Sequence, residues 1–171
     1  MNSLDSINQL QPDEAKKLFL NCCSSQNWAQ QLQQCRPFAT TESLLQQADE
    51  CWQNLCEKDY LEAFSGHPRI GDVDSLRQKF SQTKTIAAGE QQLVNEASEE
   101  TINELAKENE KYYSRFGFIF IVFASGKSAE EMLLLLKQRL NNVRRQEILI
   151  AAQEQRKIFR KRLLNLLEQN A

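Results

Sequence analysis

The sequence predicts an all-α chain: a single-domain, multi-helix bundle over residues 1–171, with one short buried extended segment near 118–124 and a long C-terminal helix. Glycine and proline are scarce, at five and three residues of 171, while the helix formers Gln, Glu, Leu, Ala and Lys recur throughout. Apolar residues return every three or four positions along most of the chain, the period of a helix with one buried face. One run alone, Phe118 to Phe123, is aromatic and β-branched enough to read as a strand, and a lone strand has nothing to pair with. A chain of 171 residues supports one domain with a real core and is short for two.

Each element has a local reason. Pro12 with Asp13 and Glu14 marks a helix start that runs through Leu18 and Phe19 to Cys22-Cys23. Ser24-Ser25 restart a short helix through Trp28 and Leu32, broken at Arg36-Pro37. From Thr41, the positions Leu44, Leu45, Ala48, Cys51, Trp52 and Leu55 form a buried stripe. Asp59 can cap a helix through Tyr60 and Phe64, and Asp74 one through Phe80. Ser98-Glu99-Glu100 predicts a start for the helix carrying Ile102, Leu105, Ala106, Tyr112, Tyr113 and Phe116. The apolar run 118–123 follows between Gly117 and Gly126; its backbone N–H and C=O groups need partners from outside a sheet. Ser128 caps a helix through Leu136 to Leu140, and the last helix runs from about Val143 to Leu167, roughly 35 to 40 Å long.

Composition excludes several classes. Apolar residues make up 41% and charged residues 26%, near the globular average, which argues against wholesale disorder. No stretch approaches the ~18 to 20 apolar residues that span a bilayer, and neither the N-terminal residues nor the C-terminal Gln169-Asn170-Ala171 read as a targeting signal. The expectation is a cytoplasmic protein with no membrane partner. Five cysteines (Cys22, Cys23, Cys35, Cys51, Cys56) cannot all pair in one chain, so reduced thiols are expected. One histidine and no Cys-x-x-Cys give no metal site; Cys51 and Cys56 read as filling a helix face. Net charge is −2, but residues 137–162 carry nine Lys/Arg against Glu147 and Glu154. That run reads either as a solvated face or as a surface for nucleic acid or an acidic partner.

The single histidine, His67, stands in Gly66-His67-Pro68-Arg69-Ile70-Gly71-Asp72. Proline pushes the preceding residue out of helical conformation, so the ring projects from a loop. An imidazole titrating near neutrality there suggests acid–base chemistry; a ring that only caps a neighbouring helix is the competing reading. Further on, Ala87-Ala88-Gly89-Glu90-Gln91 sets a carboxylate and an amide beside a glycine, groups able to orient an imidazole or bind ureido N–H groups, or simply to begin an exposed helix. Gly126-Lys127-Ser128 resembles the tail of a phosphate loop, but position 121 is isoleucine where that loop requires glycine. No Gly-x-Ser-x-Gly occurs, so nucleophilic catalysis has no positive support.

Taken together, His67-Pro68-Arg69-Ile70-Gly71-Asp72, Glu90-Gln91 about twenty residues later, Arg115-Phe116-Gly117-Phe118-Ile119-Phe120-Ile121-Val122 with Gly126-Lys127-Ser128, and Arg162-Leu163 resemble one family over most of the chain. It is the decarboxylases of 2-oxo-4-hydroxy-4-carboxy-5-ureidoimidazoline (OHCU), which complete urate breakdown to (S)-allantoin. The resemblance implies a cofactor-free carboxy-lyase, often a homodimer, linked in function to urate oxidase and 5-hydroxyisourate hydrolase. It implies His67 as proton donor with Glu90 beside it as the second catalytic residue. Pro68, the segment Ala87, Ala88, Gly89 and Gln91, and Arg162 are implied as substrate contacts, and Phe120, Ile121, Val122, Phe123 and Ala124 as donors and acceptors of backbone hydrogen bonds to the ring. The family pattern usually has serine where this chain has Ala87, which removes a hydroxyl contact.

Two other readings remain open from sequence. A helical binding module would use residues 137–162 to hold nucleic acid or a protein, with strong salt dependence. A catalytically silent relative would keep the fold and bind a ureide, with Ala87 as its mark.

Overall fold

The computed structural model describes residues 3–69, 73–81 and 91–169. Among the described residues the chain forms nine α-helices and no strand. In order they are α1 (Ser3–Gln9), α2 (Pro12–Cys22), α3 (Gln26–Gln34), α4 (Thr41–Gln53), α5 (Glu57–Ser65), α6 (Val73–Ser81), α7 (Gln91–Phe116), α8 (Ala129–Arg139) and α9 (Arg144–Gln169). The chain divides into two compact units, one of Met1–His67, Ile121–Phe123 and Ile148–Ala171, the other of Pro68–Phe120 and Ala124–Glu147.

Most helix starts follow from short polar side chains meeting unpaired backbone N–H groups. Ser25 Oγ accepts from Trp28 N–H at 3.3 Å, Thr40 and Ser43 cap each other reciprocally at 3.1 and 3.0 Å, and Ser128 and Glu131 do the same at 3.2 and 2.7 Å. The start of α5 differs from expectation. Cys56 is the cap residue, and Asp59, three positions in, reaches back to accept from the Cys56 N–H at 3.0 Å and its thiol at 3.2 Å. Burial raises the Asp59 pKa, but the hydrogen bonds from Cys56 and Asn27 outweigh it and the carboxyl lies below its ordinary value. Cys56 is therefore exposed and fills no helix face. Helix α7 begins at Gln91, seven residues before the expected Ser98, because no glycine or proline interrupts Gln91–Phe116. Helix α1 was not expected; Leu4 and Ile7 are buried on it, and the Arg36 guanidinium closes its C-terminal end by donating to the carbonyls of Ile7 and Leu10, each at 2.8 Å.

In the first unit α2 packs on α3, and α3 on α4 and α5. Its core is aromatic: Phe159 of α9 lies 4.8 Å from the ring of Trp28 and 5.4 Å from that of Trp52, centroid to centroid. Both indole N–H groups are satisfied, Trp28 by the Ala48 carbonyl at 2.9 Å and Trp52 by the Ala152 carbonyl at 3.1 Å. Asp49 of α4 takes Arg156 as a two-pronged pair, at 2.8 and 2.6 Å, and Arg160 at 2.6 Å. The stripe of α9 facing this core runs Ile148, Ala151, Ala152, Gln155, Phe159, Leu163.

The second unit packs α6 and α8 against α7. Tyr112 stands at the centre of an aromatic group with Phe116, Phe118 and Phe120, at 4.7, 5.8 and 5.2 Å. Its hydroxyl donates to Glu147, which also pairs with Arg139 at 2.5 Å and accepts from Asn142 at 2.8 Å. Glu147 is wholly buried, so these contacts are what make its charge tolerable there.

The expected segment near 118–124 has no regular secondary structure. Glycines in the left-handed region bound it, Gly117 at φ 78° closing α7 and Gly126 at φ 74° ahead of the Ser128 cap. Phe118 and Ile121 are buried, while Ile119, Phe120, Val122, Phe123 and Ala124 are half-buried.

Three outcomes follow from this packing. A β-carbon on Gly66 would fall 1.9 Å from Ser24 Oγ and 2.4 Å from its Cβ, so Gly66→Ala is expected to lower stability by about 1–3 kcal/mol; Ser24→Gly should restore part of it in denaturant titrations. Removing the Glu147 carboxylate as Glu147→Ala takes from buried Arg139 the carboxylate that balances its charge, and should cost about 3–5 kcal/mol in the same measurement. Burial pushes the thiols of Cys22 and Cys23 up to about 11 and about 12, leaving them protonated at pH 8. Iodoacetamide should then label exposed Cys56 first, with Cys22 and Cys23 reacting only on unfolding, as read by peptide mass spectrometry.

Candidate functional site

Helix α5 ends where Gly66 and Pro68 stop it, and the His67 N–H closes the last turn on the Phe64 carbonyl at 3.2 Å. The half-buried ring then turns to the middle of α9, where Nε2 lies 2.5 Å from Gln155 Oε1. A carbonyl oxygen only accepts, so the proton of that contact sits on Nε2. The ring's Nε2 thus meets a neutral side chain in the middle of a helix, one that cannot take its proton.

One residue earlier on α9, Glu154 Oε2 accepts from the backbone N–H of Phe123 at 2.7 Å. Consecutive residues of one helix thus hold the histidine and the 121–123 segment. Seven residues beyond Gln155, two helical turns along the same side, comes Arg162. It is exposed and spends one N–H on the Cys22 carbonyl at 3.1 Å. Burial raises the Cys22 and Cys23 thiols and the charge of Arg162 works against that rise, so the two sulfurs stay neutral beside the cation.

Of the residues expected from sequence, His67, Ile121, Val122, Phe123 and Arg162 fall in the first unit, and α9 ties together His67 and Phe123. The Phe123 N–H, expected to meet a ligand, is engaged by Glu154. Pro68, Phe120 and Ala124 belong to the second unit. Pro68 is exposed, the Phe120 ring lies under the Arg139 guanidinium at 4.5 Å, and the Ala124 carbonyl accepts from Lys127 N–H at 3.1 Å. Ala87, Ala88, Gly89 and Glu90 lie outside the described residues, and Gln91 is described only as the first residue of α7. Sequence reasoning missed Glu154 and Gln155. The signal for Gln155 was a polar residue on the apolar stripe of α9, where burial demands a partner.

The basic run 137–162 is divided between α8 and α9, and five of its nine charges are met by carboxylates within the chain: Lys137 by Glu104 at 2.5 Å, Arg139 by Glu147, Arg156 and Arg160 by Asp49, and Lys157 by Glu154 at 2.5 Å. Among the described residues no group of His, Cys, Asp and Glu is placed to hold a metal ion, and no helix is long and apolar enough to cross a membrane.

The chain is similar to known proteins over nearly its whole length. It is 36% identical over 157 residues to the uric acid degradation bifunctional protein TTL of Arabidopsis thaliana, covering 88% of this chain and 46% of that protein. It is 27% identical to the uric acid degradation bifunctional protein of Bacillus sp. (strain TB-90), covering 99% of this chain and 33% of that one. The chain thus spans less than half the length of these relatives. A crystal structure of OHCU decarboxylase in the presence of (S)-allantoin superposes with a TM-score of 0.71 at 36% identity, covering 88% of this chain and 96% of that chain. Residues 8–164 match the family model of OHCU decarboxylase, and with that match across both units the chain belongs to the OHCU decarboxylase family.

Proposed function

We propose that this chain catalyses the cofactor-independent decarboxylation of OHCU to (S)-allantoin, a carboxy-lyase step late in urate oxidation, with His67 as the proton donor. The observation that carries this reading is the fixed imidazole: the only histidine of a chain in this family is presented from a loop with its Nε2–H aligned on a neutral amide. Membership over residues 8–164 supports treating 1–171 as one functional domain.

The chemistry asks little beyond geometry and charge. The carboxylate of OHCU sits on a carbon next to a ring C=N, so breaking the C–CO₂ bond sends its electron pair into that conjugated system. A proton is then returned to the ring carbon that becomes the stereocentre. The protein's part is to hold the carboxylate across the ring plane, stabilise charge growing on the ring and deliver the proton to one face. His67 supplies the proton. Glu90 would help keep the imidazole charged, because a nearby carboxylate favours imidazolium. Arg162, with guanidinium donors beyond the one given to Cys22, can pair with an anionic group of the substrate through a planar fork. Backbone groups of Phe120 to Ala124, together with Pro68 and the stretch Ala87 to Gln91, would read the ring and ureido edges. Function as a homodimer in the cytoplasm, downstream of urate oxidase and 5-hydroxyisourate hydrolase, completes the reading.

OHCU generated in situ by those two enzymes and followed by circular dichroism tests it. Wild-type protein should produce a fast signal of one sign. His67→Asn should return the rate and the handedness to the spontaneous background while the protein still folds, its unfolding midpoint lowered only by the lost hydrogen bond to Gln155. A stereospecific rate unaltered in His67→Asn would remove His67 from the chemistry. A racemic time course from wild-type protein would favour the silent, ureide-binding relative that Ala87 allows.

A further inference from the structure

Gln155 is wholly buried, and while its Oε1 accepts from His67, its amide nitrogen has no hydrogen-bond partner. It is the one buried side-chain nitrogen or oxygen among the described residues left in that state. A buried donor without a partner is destabilising, and a stripe of Ile148, Ala151, Ala152 and Phe159 would accept leucine or methionine at this position more readily. The Gln155 side chain does draw down the neighbouring Cys23 thiol, the smallest of the effects on that group, but a thiol sulfur is a weak acceptor and it does not meet the geometry of a hydrogen bond to the amide nitrogen.

From this we infer that Gln155 is a substrate-binding residue: its amide N–H group donates to an oxygen acceptor of the bound substrate, a carboxylate or ring carbonyl, while its carbonyl fixes the proton-bearing nitrogen of His67. The inference rests on the decarboxylase reading. One planar amide then does two tasks with a single rotamer. Its two ends are separated by the width of one amide group, so the acceptor it grips lies in the immediate vicinity of the His67 ring, where the proton is delivered. Neutrality suits the position, since a carboxylate there would repel an anionic substrate and a cation would disfavour imidazolium. Arg162, two turns along the same helix, can meet a second anionic or carbonyl group.

Two variants and two readouts test this. Gln155→Glu is nearly isosteric and keeps an acceptor for His67 while losing the donor; Gln155→Met removes both. Gln155→Met should raise KM for in situ OHCU by roughly 10- to 100-fold, the factor set by a lost hydrogen bond to a charged group, and Gln155→Glu by at least as much, because its carboxylate also repels the anionic substrate. In Gln155→Glu kcat should be better retained than in Gln155→Met, where the imidazole is no longer aligned. Because the chain has one histidine, ¹⁵N imidazole NMR reports on His67 without ambiguity. Wild-type protein above the imidazole titration should show the Nε2–H tautomer, and Gln155→Met a mixture. Wild-type turnover with unaltered KM in both folded variants would overturn the substrate contact alone, even if the tautomer shifts. An Nε2–H tautomer without stereospecific turnover by wild-type protein would overturn the decarboxylase reading, and the substrate contact with it.

Discussion

The placement of α9 in the first unit rests on Phe159, held between the rings of Trp28 and Trp52, with the Trp52 indole bonded to the Ala152 carbonyl. Burial of a side chain of that size is worth several kcal/mol, more than any surface ion pair along the helix. Ala152 and Phe159 bracket Glu154 and Gln155 in sequence. Once the aromatic clamp sets the rotation of α9, the Glu154 carboxylate is carried to Phe123 and the Gln155 amide to His67. The Asp49 pairs with Arg156 and Arg160 fix the opposite side of the same turns.

The electrostatic design of this region is economical. On α9 the neutral amide of Gln155 meets the histidine, while Arg162 lies beside two thiols that burial keeps protonated. A proton donor whose Nε2 meets a neutral amide keeps that proton available for a substrate. A fixed carboxylate on the same nitrogen would bind that proton more tightly. Five of the nine basic residues between 137 and 162 are meanwhile paired with internal carboxylates, which weakens the field that this run offers to a polyanion.

Much of the architecture was legible because it is written in local chemistry. Ser25 and Ser128 announce helix starts by the hydrogen bonds their side chains make, and Gly117 and Gly126 announce the ends of the irregular segment by a backbone conformation that other residues resist. Asp59 was misleading because a carboxylate three residues into a helix looks, in sequence, like one at the cap. Ser98 misled for a related reason: a serine before two glutamates is a start signal that a longer helix can run straight through. The loop carrying His67 was readable from Pro68, and the partner of its ring was not. Gln155 lies 88 positions away, and only the fold brings the two together. The sequence offered one hint, a glutamine on an apolar stripe.

The measurement that tests the account most directly is the enantiomeric excess of allantoin as a function of protein concentration, at a constant supply of OHCU. If an oriented proton donor acts on one face, the product should pass from racemic towards pure (S) as the protein-catalysed flux overtakes spontaneous decay. Allantoin that stays racemic at every protein concentration would contradict it.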